Sequence, residues 1–110
     1  DGTYPLTPAK EQIAYNMFAD AETVDISLLI GGPALQATAQ HLVLTIAENR
    51  KDCIAFVSPT KASVVNAAVD SQTASIVSQK NAIGSSSYGV MDNAWKYQYD
   101  RYRDVFINVP

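Results

Sequence analysis

The chain has 110 residues, 47% of them hydrophobic and 17% charged, with 8 basic side chains against 11 acidic ones and a formal net charge of -3. That balance fits one domain with one hydrophobic core and excludes a disordered tail. The basic residues stand in small groups beside acids, Arg50-Lys51 and Lys96/Arg101/Arg103, which excludes the basic stripe of a nucleic-acid binder, and the runs ISLLI and CIAFV are too short to cross a bilayer.

The opening DGTYPLTP reads as a linker or loop over residues 1–6, and the chain is expected to be a segment of a longer polypeptide. Thr7-Pro8 then starts a helix: a hydroxyl at the N-cap is followed by proline at the first helical position, where its missing N–H costs nothing. Ile13, Ala14, Met17, Phe18 and Ala21 form the helical stripe, predicting a helix to about Asp20. Asp25 to Ile30 is a short apolar, β-branched run closed by Gly31-Gly32-Pro33, a buried strand ending in a tight turn.

ALQATAQHLVLTIAENRK sets Leu35, Ala39, Leu42, Val43 and Ile46 on one face of a second helix, with Arg50 and Lys51 at the C-terminal end where cations suit the dipole. Cys53 to Val57 predicts a second buried strand, ended by Ser58-Pro59. The following stretch is helical but broken near Val69-Asp70, giving a short helix, a turn and a longer helix from about Ser71 to Ala82 with Ile76, Val77 and Lys80 on one side. Gly84 and three serines form a loop, and SYGVM is a third strand. The strands lack polar alternation, the pattern of a parallel sheet covered on both faces and joined by right-handed crossovers.

The end of the chain follows a different period. Trp95, Tyr97 and Tyr99 alternate with Lys96, Gln98 and Asp100, and Val105, Ile107 and Val109 alternate with Asp104, Phe106 and Asn108. This period of two predicts a hairpin turning at DRYR, each strand with one face buried inside the subunit. The expected fold class is therefore α/β: a mostly parallel sheet flanked by helices, ending in an antiparallel strand pair.

Few residues invite chemistry. Cys53 lies in an apolar strand, where desolvation disfavours a thiolate, and as the one cysteine it has no partner within the chain. His41 is the one histidine, so a zinc site has no second imidazole or thiol beyond these two residues. LLIGGPALQ follows a strand and opens a helix, but it lacks both the G-x-G-x-x-G spacing and the Walker lysine; Gly31-Gly32 is better read as relief of a sharp turn. Asp25 and Asp52 fall at the amino ends of strands, away from where α/β sheets place their sites. Asp92 falls at a carboxyl end without a partner acid. No catalytic, cofactor-binding or metal-binding residue is expected.

The run SSSYGVMDNAWKYQYDRYRDVFINVP closely resembles a signature region of tail sheath proteins from contractile-tailed phages of the T4-like group. DCIAFVSP followed by VVN, and VDISLLIGGP before it, resemble the preceding strands and helix start of that family, so the resemblance runs from about Thr7 to Pro110. It implies that residues 1–110 are an incomplete part of the conserved α/β core domain of a longer sheath subunit, a viral structural protein of the virion.

Such subunits stack as six-fold rings around an inner tail tube and contract to drive the tube through the host envelope. The implied partners are further copies of the subunit, the tube protein, and baseplate and tail terminator proteins, with assembly in the host bacterial cytoplasm, no nucleic acid and no membrane insertion. The signature residues Trp95, Tyr97, Tyr99, Asp100, Tyr102 and Asp104 are implied to serve packing or an interface. The alternatives from the residues alone are a Rossmann-like ligand-binding or enzymatic domain at Gly31-Gly32 and Asp92, and a protein-binding module using the tyrosine-rich end.

Overall fold

A computed structural model describes residues 7–110; the linker expected over residues 1–6 lies outside the described residues. Helix α1 spans Pro8–Asn16, with Pro8 in its first turn and the Thr7 hydroxyl accepting the Lys10 N–H at 3.4 Å. It stops short of the expected Asp20, and Ile13 and Met17 point to solvent. The residue that packs on the core is Tyr15, whose hydroxyl donates to the Ile30 carbonyl at 3.3 Å.

Strand β1 is Leu28–Ile30. Helix α2 follows in three continuous pieces: α-helical Gln36–His41, π-helical Leu42–Ala47 and α-helical Glu48–Arg50. Strand β2 is Ile54–Val57, the short helix α3 is Lys61–Val64, α4 is Val69–Ile83 and β3 is Gly89–Met91. The chain break therefore falls over residues 65–68, just before the expected Val69-Asp70. Asn66 adopts a left-handed φ of 60° there, a conformation asparagine tolerates better than most residues.

The three strands are parallel in the order β1-β2-β3, with Leu29 beside Ala55 and Ala55 beside Gly89. Leu29, Ala55 and Val57 turn to one side, where they meet Leu42, Val43, Ile46 and Ala47 of α2 and Ile83 of α4 in a single buried cluster. The π-helical turn carries Leu42, Val43, Ile46 and Ala47, so the widened part of α2 is the part seated on the sheet. Gly89 lets that helix come close: a Cβ there would sit 2.5 Å from Val43 Cγ1.

Polar side chains join the pieces. Thr38, fully buried in α2, donates to Glu11 of α1 at 2.6 Å. The Gln79 side chain of α4 accepts from the Thr60 N–H at 3.0 Å and donates to Ser63 at 2.7 Å, which pins α3 to α4.

Arg50 ends α2 as a clamp. It donates to the carbonyls of Phe18 at 2.6 Å, Asp20 at 3.2 Å and Val24 at 2.7 Å, and makes a two-point pair with Asp52 at 2.8 and 3.0 Å; its side chain is 1% exposed. This holds the connection between α1 and β1 against the end of α2. A lysine could not reproduce the planar fork.

The Arg50 hydrogen bond holds the Asp52 carboxyl below its ordinary range; the Glu22 N–H and Thr23 hydroxyl do the same for Asp20. A carboxyl with a lowered folded-state pKa adds stability above its unfolded value, and that stability is lost as pH falls through the folded value. Thermal midpoints are thus expected to drop as pH falls below about 4, with Asp52→Asn less acid-sensitive than the parent. Parallel pH profiles for the two proteins would refute a contribution from this pair.

Strands β4, Lys96–Asp100, and β5, Val105–Val109, form a separate antiparallel pair. Trp95 ties it to the rest of the chain by donating to the Pro59 carbonyl at 2.7 Å. The radius of gyration, 15.1 Å, exceeds the roughly 13 Å of a compact domain of about this length. The hairpin forms its own sheet and contributes no residue to the buried core cluster.

Candidate functional site

The polar residues weighed for chemistry do not converge. The Cys53 thiol is in the core cluster, and burial pushes its pKa up, followed by the nearby Asp52 charge. His41 meets the Asn16 side chain at 2.6 Å. Asp52 is held by Arg50, and Asp92 accepts the Ser58 hydroxyl at 2.8 Å across the carboxyl ends of β2 and β3. Gly31 continues the ladder by donating its N–H to the Phe56 carbonyl at 2.9 Å. Because the strand order runs β1-β2-β3 without reversing, these strands form no switch-point crevice of the kind that holds ligands in doubly wound sheets. Among the described residues there is no group of three or more metal-ligating side chains, and no helix is long and apolar enough to cross a membrane.

What the structure does assemble is apolar surface. The hairpin register pairs Tyr99 with Phe106 and Tyr97 with Asn108, while Val109, Ile107 and Val105 face Lys96, Gln98 and Asp100. Directly opposed residues in an antiparallel pair share a face. One face therefore carries Tyr97 and Tyr99 with Phe106; the other carries Val105, Ile107 and Val109.

Tyr97 stacks on Phe106 with ring centroids 5.0 Å apart, and Tyr99 tilts against the same ring at 5.3 Å. Tyr97 is 67% exposed and Tyr99 46%, so the burial expected for these rings is not supplied by residues 7–110; only Trp95 of the alternating trio is half-buried. The hairpin lies apart from the core, and its register gives it two apolar sides instead of one.

The turn between the strands is built by the signature acids. The Asp100 carboxylate accepts the N–H groups of Tyr102 at 3.0 Å and Arg103 at 3.4 Å. Asp104 takes a left-handed φ of 55° and accepts the Tyr99 hydroxyl, a bond that pushes the Tyr99 pKa up. Tyr102 projects from the tip with the Arg101 guanidinium 5.2 Å from its ring centre. Asp100, Tyr99 and Asp104 fix the turn, then, while Tyr97, Tyr102 and Phe106 present aromatic surface.

A second exposed surface lies on the parallel sheet. Leu28 and Ile30 of β1, Ile54 and Phe56 of β2 and Val90 of β3 all turn away from α2 and remain exposed. Ile30, Phe56 and Val90 are neighbours in register and form one row across the three strands. The strands were expected to be covered on both faces; among the described residues the helices cover one. The signal was present as unbroken apolar runs, but nothing in such a run says which neighbour covers which face.

The described residues thus form an α/β segment with two uncovered apolar surfaces and dispersed polar groups. The comparisons name the class more closely: over 112 residues the chain is 35% identical to the tail sheath protein of Enterobacteria phage T4, covering 88% of this chain and 17% of that protein. Against the tail sheath protein of Vibrio phage KVP40 it is 30% identical over 109 residues, covering 81% of this chain and 16% of the relative. Against that of Salmonella phage ViI it is 31% identical over 71 residues, 64% of this chain and 11% of the relative. No protein-family model matches the chain. The chain is related to the tail sheath proteins of T4-like phages, supporting a structural role in a phage tail, and it spans about a sixth of the length of the first two of these curated relatives.

Proposed function

We propose that residues 1–110 are part of the α/β core of a longer sheath subunit, one that polymerises as stacked six-fold rings around an inner tail tube and contracts to drive that tube through the host envelope. The single observation that carries this reading is the similarity to tail sheath proteins along most of the chain. Further copies of the subunit are the principal partners; the tube protein, the baseplate and the tail terminator meet the ends and the inside of the polymer. Assembly takes place in the host bacterial cytoplasm and the product is a virion tail.

The physical requirement on such a subunit is to move as a rigid body between two sets of contacts. Contraction needs no bond-making in the subunit: an extended array held behind a kinetic barrier relaxes to one with better interfaces. The clamp at Arg50, the Thr38–Glu11 link and the close α2–sheet approach at Gly89 all serve rigidity within the body. The signature residues Trp95, Tyr97, Tyr99, Asp100, Tyr102 and Asp104 act as a packing element: acids shape the hairpin, and its aromatic side seats against the remainder of the subunit or a neighbour.

Sedimentation velocity of the complete polypeptide, without tube or baseplate, tests this. The expected result is concentration-dependent growth into very large particles. A single discrete species over a wide range of concentration and salt overturns it.

A further inference from the structure

Helix α1 is turned inside out relative to an ordinary surface helix, which buries its apolar stripe and shows its polar side to water. In α1 the polar side chains face the body: Gln12 donates to the Ala37 carbonyl at 3.3 Å, Glu11 accepts the Thr38 hydroxyl, and Asn16 meets His41. The apolar pair Ile13 and Met17, one helical turn apart, faces outward at 70% and 74% exposure. The helix then runs into an acidic loop in which Asp20, Glu22 and Asp25 are all exposed. The cation that holds this loop, Arg50, is 1% exposed and already engaged by Asp52 and three carbonyls. The outer side of α1 is therefore an apolar patch with an acidic border.

The tip of the β4–β5 hairpin has the opposite character. Tyr102 is 88% exposed, and the Arg103 side chain beside it is 80% exposed. The two acids of the turn are used within it: Asp100 accepts the Tyr102 and Arg103 N–H groups, and Asp104 accepts the Tyr99 hydroxyl. What the tip presents is an aromatic ring flanked by two guanidinium groups. Apolar centres with borders of opposite charge are complementary in the way protein–protein contacts are, and tyrosine and arginine are the residue types that dominate such contacts.

Both surfaces belong to one chain. A contact between two different patches on two copies is heterologous, so it repeats from copy to copy and closes a ring or extends a helix. One tyrosine and its two neighbours cover far less than the roughly 800 Å² per partner of a stand-alone pair, so this contact adds to others in an array rather than holding two copies by itself.

Resting on the reading of this chain as part of a subunit that polymerises, we infer that the hairpin tip of one copy seats on the outer side of α1 in a neighbouring copy, Tyr102 against Ile13 and Met17, and the guanidinium groups of Arg101 and Arg103 against Glu22 and Asp25.

The test is the concentration at which the complete polypeptide polymerises in low salt, read by light scattering. Four proteins are compared: the parent, Arg101→Glu with Arg103→Glu, Glu22→Arg with Asp25→Arg, and all four substitutions together. Asp20 is left alone because it caps its own turn through the Glu22 N–H and the Thr23 hydroxyl. Each half-reversed protein is expected to need about tenfold more protein to polymerise, and the fully reversed one to return to within about threefold of the parent. Tyr102→Ala, at an exposed position, should raise the threshold in the same direction, and it decides the matter if a charge reversal costs the fold. Unchanged thresholds in the half-reversed proteins and in Tyr102→Ala, or no recovery in a folded full reversal, overturn the inference and leave the polymer reading standing. A parent that never polymerises removes both.

Discussion

Gly89→Ala is expected to destabilise the chain by about 1–3 kcal/mol, as overpacking of a tight core does, although alanine is the smallest change available. The added Cβ would stand 2.5 Å from Val43 Cγ1, 3.0 Å from Cγ2 and 3.4 Å from the Val43 Cβ. Valine in a helix has essentially one side-chain rotamer, so Val43 cannot swing aside, and the π-helical turn that carries it is anchored by Leu42, Ile46 and Ala47. Relief must come from the partner. Val43→Ala alone is also expected to destabilise, by removing buried methyl groups, yet the two together should cost less than their sum by about 0.5–3 kcal/mol. Urea unfolding of the four proteins of this cycle measures the coupling. Strict additivity would mean that α2 does not rest on Gly89 as described.

Leu42→Ala should have the larger effect, about 2–5 kcal/mol, the range for emptying a fully buried leucine site. Leu42 is completely enclosed and sits against the end of β1, with its Cδ1 3.3 Å from where a Gly31 Cβ would be. The buried cluster is small, so a loss of this size is a large part of a typical stability of about 5–15 kcal/mol. The informative comparison is Leu28→Ala, on the exposed face of the same sheet. In the 110-residue chain it should change stability by no more than about 0.5 kcal/mol, as exposed positions do. Equal losses at Leu42 and Leu28 would mean that the sheet is covered on both sides within this chain.

The order of elements was legible in the sequence because each carries its own signal. Thr7-Pro8 starts α1, the apolar runs mark β1 and β2, and the glycine-serine loop precedes β3. What was not legible is how faces are shared. ISLLI and CIAFV look the same whether a helix covers one side or both, and only the one-directional strand order shows that this chain supplies a single cover.

The hairpin makes a similar point about register. Each strand alternates cleanly, but which sets meet depends on the turn. The pairing of Asp100 with Val105 sets an odd-numbered residue opposite an even-numbered one throughout, so Tyr97 and Tyr99 cannot share a face with Ile107 and Val109. Arg50 was read from sequence as a charge suited to a helix end, whereas its position makes it a clamp on three carbonyls. That role needs the α1–β1 connection to pass beside it, and no local pattern announces such a passage.

The same features bear on function. Cys53 is buried in the core and His41, Asp52 and Asp92 are each held in side-chain hydrogen bonds, while the sheet face and the hairpin expose aromatic and aliphatic side chains. The proteins this chain resembles are tail sheath proteins, matched along most of its length.

Electron microscopy of the purified complete polypeptide, alone and without tube or baseplate, tests that account most directly. It predicts long hollow helical polymers with six-fold rings. Discrete monomers or dimers across concentration and salt would contradict it, and the turn at Gly31-Gly32 would then have to be screened for a small-molecule ligand.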